Sequence, residues 1–236
     1  MDPKFLSIMI VFAFIEGITA GFSSIFVFNR IPAKWLCDYG VVPGKEMWGE
    51  RISKKPWIWL LPLIFFAAAI LLIRQGPTYQ VAALLALWIL LQIGMADQKY
   101  MIIPDQFVIA LAVTALGFLP TQSEFLPLVL GALIGGGSFL LAGLIGKLVF
   151  RKEAVGFGDV KLLAALGLVT GTTGIIAILI LTVFSSAIVF GCLLIAGLLR
   201  KEEERPLGPF IAASAAVVLL LPVETASVIG WFFPFV

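Results

Sequence analysis

"IIAILILTVFSSAIVFGCLLIAGLL", residues 175–199, runs for its whole length without one charged side chain. A helix needs about 20 mostly apolar residues to cross the hydrocarbon core of a bilayer. This stretch is long enough, and it places the chain in a membrane. Composition agrees: 61% of the residues are hydrophobic and only 13% are charged, against roughly 25% charged in soluble domains. Working outward, apolar stretches recur at 5–28, 57–73, 81–96, 107–119, 126–149, 162–171 and 207–223. The 162–171 stretch is too short to cross alone, so its helix is expected to begin nearer Gly158. The reading is an all-α polytopic membrane protein of about eight transmembrane helices, one membrane-embedded domain over residues 1–236. No soluble domain is expected, and 5–28 is too long, with no basic flank, for a cleaved signal peptide.

Orientation follows from Lys and Arg, which accumulate on cytoplasmic loops. With both termini outside, four connections face the cytoplasm. The first, 29–56, holds Arg30, Lys34, Lys45, Arg51, Lys54 and Lys55. The others hold Lys99; Lys147, Arg151, Lys152 and Lys161; and Arg200, Lys201 and Arg205. Only Lys4 and Arg74 of the 16 basic residues fall outside. The expected location is therefore the cytoplasmic (inner) cell membrane, multi-pass. Topology accounts for the basic residues, so the implied partner is the lipid bilayer and not nucleic acid. Cys37 and Cys192 lack nearby partners, so neither a disulfide nor a paired-cysteine metal site is indicated.

Two cytoplasmic connections carry unusual acids. In "MADQKYMIIPDQF", residues 95–107, Asp97 closes the third span and Pro104-Asp105 opens the fourth. In "RKEAVGFGDVKLL", residues 151–163, Asp159 follows two glycines. The span count puts Asp97 and Asp159 on the same side, near the cytoplasmic surface. Gly156 and Gly158 permit positive φ and close backbone approach, and Pro104 suits the first turn of a helix. Two close carboxylates cannot both ionise and share a proton. The charged one can then take a proton from water while the neutral one polarises a carbonyl. The plainer reading of each Asp alone is a helix cap or a side chain in headgroup water.

Elimination narrows the chemistry, because the chain has no histidine. A Ser–His protease is excluded, as is a zinc protease of the H-E-x-x-H type. An aspartyl mechanism is the most natural way left to cut a peptide. A Ser–Lys dyad stays formally open, although no Ser has a Lys convincingly near it.

These residues resemble the type IV prepilin peptidases, a family of G-x-G-D intramembrane aspartyl proteases. Its first motif, an Asp followed after six residues by Pro-Asp or Pro-Asn, is matched by Asp97 and Pro104-Asp105. Its second, G-x-G-D-x-K-L, is matched by Gly156, Gly158, Asp159, Lys161 and Leu162. "GFSSIFVFNRIP" is similar to the family's N-terminal motif and keeps Gly21, Arg30 and Pro32. "RPLGPFIAASA" is similar to its P-F-G-P-F segment and keeps Pro206, Gly208, Pro209 and Phe210. The resemblance implies that Asp97 and Asp159 are the catalytic pair, with Pro104, Asp105, Gly156, Gly158 and Lys161 as supporting motif residues. It implies as substrates the precursors of type IV pilins or pseudopilins, cut after a glycine to release a basic leader on the cytoplasmic side.

The departures bear on a second activity. Many members also methylate the new N-terminus with S-adenosylmethionine, and these commonly carry two C-x2-C pairs, thought to hold zinc, in the first cytoplasmic loop. Here 29–56 is reduced and holds only Cys37; Phe22, Ile25 and Leu207 replace family residues. Cofactor-free, metal-free proteolysis is thus the stronger expectation and S-adenosylmethionine-dependent methylation the weaker one. Presenilin-like enzymes share G-x-G-D but pair it with Tyr-Asp, whereas Ala96 precedes Asp97 here.

A different class, a proton-coupled transporter, would also use intramembrane acids. Carriers place them near the midplane, where only Glu16 fits; a charge there costs about 2.5 kcal/mol or more. Gly131, Gly135, Gly136 and Gly137 form a small-residue face suited to close helix packing.

Overall fold

A computed structural model of the protein describes residues 3–37, 40–121, 124–150, 155–198 and 205–232, and all regular structure among them is helical. The order is α1 (Pro3–Phe28), α2 (Trp57–Leu72), α3 (Pro77–Tyr100), α4 (Asp105–Phe118), α5 (Leu126–Phe150), α6 (Phe157–Ile195), α7 (Gly208–Leu220) and α8 (Pro222–Phe232). Two short 3-10 turns, Ala33–Leu36 and Lys45–Met47, lie in the connection between α1 and α2. Five of the helical stretches are apolar and long enough to cross a membrane, and α4 is a shorter apolar helix. Arg151, Lys152, Arg200 and Lys201, which contribute to the charge asymmetry, lie outside the described residues.

Burial is arranged as a lipid solvent requires. Outward positions of α1 and α5 expose large apolar side chains such as Val11, Phe12, Leu133 and Leu144. Helix contacts use small residues, because lipid tails offer no hydrophobic incentive for large ones to meet and close backbone packing must substitute. Gly21 on α1 lies so close to α2 that a Cβ there would sit 2.2 Å from the Pro62 nitrogen. α3 runs through the middle, packed against α1, α4 and α7, with Ala83, Ala86, Ile93 and Ala96 fully enclosed.

The helix α6 is not one rod. Gly171 has φ 68° and ψ −171°, a conformation essentially reserved for glycine. A Cβ on Gly135 of α5 would touch both the Leu163 carbonyl (2.4 Å) and the Ile175 side chain (2.8 Å). Twelve residues of straight helix span about 18 Å, so both can meet Gly135 only if the chain doubles back at Gly171. The two arms carry the separate 162–171 and 175–199 stretches read from the sequence, the second as far as Ile195, and the first begins at Phe157, next to Gly158 as expected. α5 lies against both arms through Gly131, Gly135 and Gly136, but Gly137 has nothing within 4 Å and is not part of that contact. After α7 the chain turns by 101° into α8.

Candidate functional site

The last turn of α3, the connection after it, the first turns of α4 and α6, and the segment after α1 line one cavity, and the start of α7 meets Asp97 beside it. Asp97 sits in that last turn of α3 and is only 6% exposed. Its backbone carbonyl accepts the Met101 N–H at 2.8 Å, and Met101 takes a left-handed conformation with φ 55° and ψ 36°. Such a conformation is uncommon outside glycine. It stops α3 and sends residues 102–104 out in non-helical form. Pro104 is the cap residue before α4 rather than part of its first turn, with φ −68° and ψ 124°. Its carbonyl accepts the N–H groups of Phe107 and Val108.

Asp97 also has a partner from far along the chain. The Gly208 N–H, at the start of α7, donates to Asp97 Oδ2 at 2.7 Å. Helix N-termini carry unpaired N–H groups and partial positive charge, so this donor suits a carboxylate. A Cβ at position 208 would lie 2.6 Å from that oxygen and 2.9 Å from Asp97 Cβ and Cγ. Only glycine allows the approach.

Asp159 lies in the first turn of α6, where its N–H bonds to the Gly156 carbonyl at 3.1 Å. Neither Gly156 nor Gly158 adopts positive φ. Of the two uses that the sequence leaves open, close approach is the one both positions serve. A Cβ on Gly158 would meet Ile103 Cβ at 3.1 Å, and one on Gly156 would meet Asp159 Oδ2 at 3.2 Å. The first turn of α6 is thereby laid on the connection leaving Asp97.

Lys161 forms an ion pair with Asp105. The pair joins the second motif to the first. Exposed pairs of this kind contribute about 0–1 kcal/mol, so the contact matters mainly for holding α4 and α6 together. Asp97 and Asp159 line a common cavity of about 400 Å³, and Asp159 lies within electrostatic reach of Asp97. Pro104, Asp105, Gly156, Gly158 and Lys161 line it too, so the structure brings both acids and these five supporting residues to one place; Leu162 is buried and does not line it. Glu16 does not line it; one of its carboxylate oxygens is buried on α1 without a hydrogen-bond partner.

Two contributions escaped sequence reasoning. The Gly208 contact was signalled only as part of a matched stretch, with no chemistry attached to it. The wall formed by Lys34, Trp35 and Cys37 had no signal beyond nearby Pro32. Among the described residues, no three His, Cys, Asp or Glu side chains gather closely enough to hold a metal ion. Cys192, on the second arm of α6, is not among the residues lining the cavity with Cys37.

The fold and site define a helical, multi-pass membrane protein with two acids, from separate helices, at one cavity. Sequence comparison gives the family. The profile of the Type IV leader peptidase family matches residues 84–195. A prepilin leader peptidase/N-methyltransferase of Aeromonas salmonicida (strain A449) is 32% identical over 196 residues, covering 72% of this chain and 66% of the relative. One from Aeromonas hydrophila is 26% identical over 201 residues with the same coverages. Another, from Stutzerimonas stutzeri, is 32% identical over 156 residues, covering 61% of this chain and 51% of the relative. No solved structure matches. The chain belongs to the type IV leader peptidase family, and it matches just under two thirds of the length of the Aeromonas relatives.

Proposed function

We propose that the protein is an intramembrane aspartic endopeptidase that removes the basic leader peptide from type IV prepilins or pseudopilins. The observation that carries this reading is the convergence of Asp97 and Asp159, from α3 and α6, on one cavity. One acid, ionised, takes a proton from water; the other, protonated, donates a hydrogen bond to the scissile carbonyl. Attack by that water gives a tetrahedral species, and proton return to the amine releases the leader. Gly208 N–H, fixed on Asp97 Oδ2, holds that carboxylate in place.

The membrane arrangement belongs to the same reading. Eight crossings, with α6 supplying two and α4 and α7 one each, leave both termini outside and the cavity at the cytoplasmic face of the inner membrane. There a charged leader meets the membrane helix that follows it. The 29–56 segment, with one thiol and, among its described residues, no gathered metal ligands, is assigned to proteolysis and not to S-adenosylmethionine-dependent methyl transfer. Family membership and the cavity at helix ends favour this over proton-coupled transport, for which only Glu16 speaks.

The test is incubation of the purified protein with a prepilin. The wild type yields the shortened product, while Asp97→Asn and Asp159→Asn, folded and membrane-inserted, each yield none. Processing near the wild-type rate by either variant overturns the paired-acid mechanism.

A further inference from the structure

The segment after α1 contains an arginine that neither the motifs nor the two acids account for. Arg51 is 7% exposed. Its guanidinium donates to the carbonyls of Phe28 (2.7 Å), Ile31 (2.5 Å) and Met47 (2.6 and 2.9 Å). Two of these lie at and just beyond the C-terminal end of α1, where a helix presents partial negative charge. Asn29 completes the cluster. Its Oδ1 accepts the N–H groups of Arg51 and Ile52, both at 2.9 Å, and its Nδ2 donates to the Ile52 carbonyl at 2.9 Å.

The cluster also reaches the turn that bears Asp97. Lys99, two residues beyond it, donates to the Arg51 carbonyl, and the Tyr100 hydroxyl donates to the Glu46 carbonyl at 3.2 Å. In the chain between Ile31 and Met47, whose carbonyls Arg51 holds, Ala33 and Leu36 are buried, and Trp35 meets Phe107 of α4 edge-on with centroids 6.1 Å apart. Lys34, Trp35 and Cys37 then face the cavity shared by the two acids.

We infer that Arg51 is a positioning residue for the proposed cleavage site, fixing Lys34 and Trp35 as the wall against which the substrate peptide lies. The inference rests on the peptidase reading above for its substrate, but the placement of the wall does not. Arginine is needed because one planar fork spans three carbonyls; a lysine ammonium keeps the charge but lacks the fork. Contacts made by a wall are the same before and during reaction, and losing such contacts raises KM while kcat stays unchanged.

Three measurements test this. With a prepilin substrate, Arg51→Lys raises KM about tenfold and leaves kcat within about threefold. Trp35→Ala does likewise, and the double variant is no worse than the worse single one, as expected for residues acting through one structure. In a Cys192→Ser background without substrate, maleimide labels Cys37 several times faster when Arg51 is Lys. A fold weakened only in general would lower kcat and give additive effects. Should Arg51→Lys fail to accumulate, Lys99→Gln removes one of the two ties to α3 and is read in the same assays. Unchanged KM and unchanged Cys37 labelling overturn the inference while leaving cleavage intact. If the wild type cleaves no prepilin, the peptidase reading fails, and the labelling rate still decides whether Arg51 holds the wall.

Discussion

Gly208→Ala is the most searching substitution, because it adds one carbon at a known place. The new Cβ lies 2.6 Å from Asp97 Oδ2, where ordinary contact begins near 3.4 Å. The carboxylate or the start of α7 must shift by about 0.8 Å, and a misplacement of about 1 Å can cost 100-fold in rate. The 2.7 Å hydrogen bond from the Gly208 N–H is broken or bent in the process. Such a bond to a charged group is worth about 1.5–3 kcal/mol, or about 10- to 150-fold in rate. The two routes agree, so prepilin cleavage should fall about 10- to 150-fold. Backbone strain does not contribute, because Gly208 is not among the residues with positive φ. Gly137→Ala is the control: its Cβ enters open space, and cleavage should be unchanged. The assay is the initial rate of product formation by gel shift, at equal amounts of folded protein in detergent. Cleavage by Gly208→Ala within threefold of wild type would refute the claim that this contact holds Asp97.

Asp105→Asn weakens a partly exposed ion pair with Lys161, so cleavage should drop no more than about fivefold; abolition, as expected for Asp97→Asn, would move the catalytic assignment. Gly171→Ala forces a side chain into φ 68°, ψ −171° and should destabilise the α6 hairpin by about 1–3 kcal/mol, seen as a lower unfolding midpoint in detergent. Treatment with EDTA should leave cleavage unchanged, since no group of potential ligands gathers among the described residues; loss of activity restored by zinc would contradict the mechanism.

The helices were legible because lipid imposes a simple rule: long uncharged stretches must be helical and must bury their own backbone polar groups. Length separated the 162–171 and 175–199 stretches, since 162–199 is too long for one crossing, but it did not point to the reversal at Gly171. The convergence of Asp97 with Asp159 was legible only as sidedness. Which atoms meet depends on how α3, α6 and α7 pack, and no spacing in the sequence measures that. Gly208 shows the difficulty. A glycine in a matched stretch announces that something comes close, but not that a carboxylate 111 positions earlier does so. Gly156 and Gly158 left two physical reasons open, because glycine permits both unusual φ and close contact and the sequence does not separate the two.

The two acids stand in unlike surroundings, and this follows from which helix end each occupies. Asp159 is in the first turn of its own helix, near the positive end of that helix's dipole. Asp97 is in the last turn of α3, where the same effect works against a negative charge. The fold offsets this by bringing a second helix N-terminus, that of α7, onto its carboxylate through the Gly208 N–H. One acid is thus tethered by a foreign helix end, while the other stands on its own. Each acid therefore depends on a different part of the chain, Asp97 on α7 and Asp159 on the glycines that open α6. Damage to α7 should therefore reach the site through Asp97, by way of the Gly208 N–H.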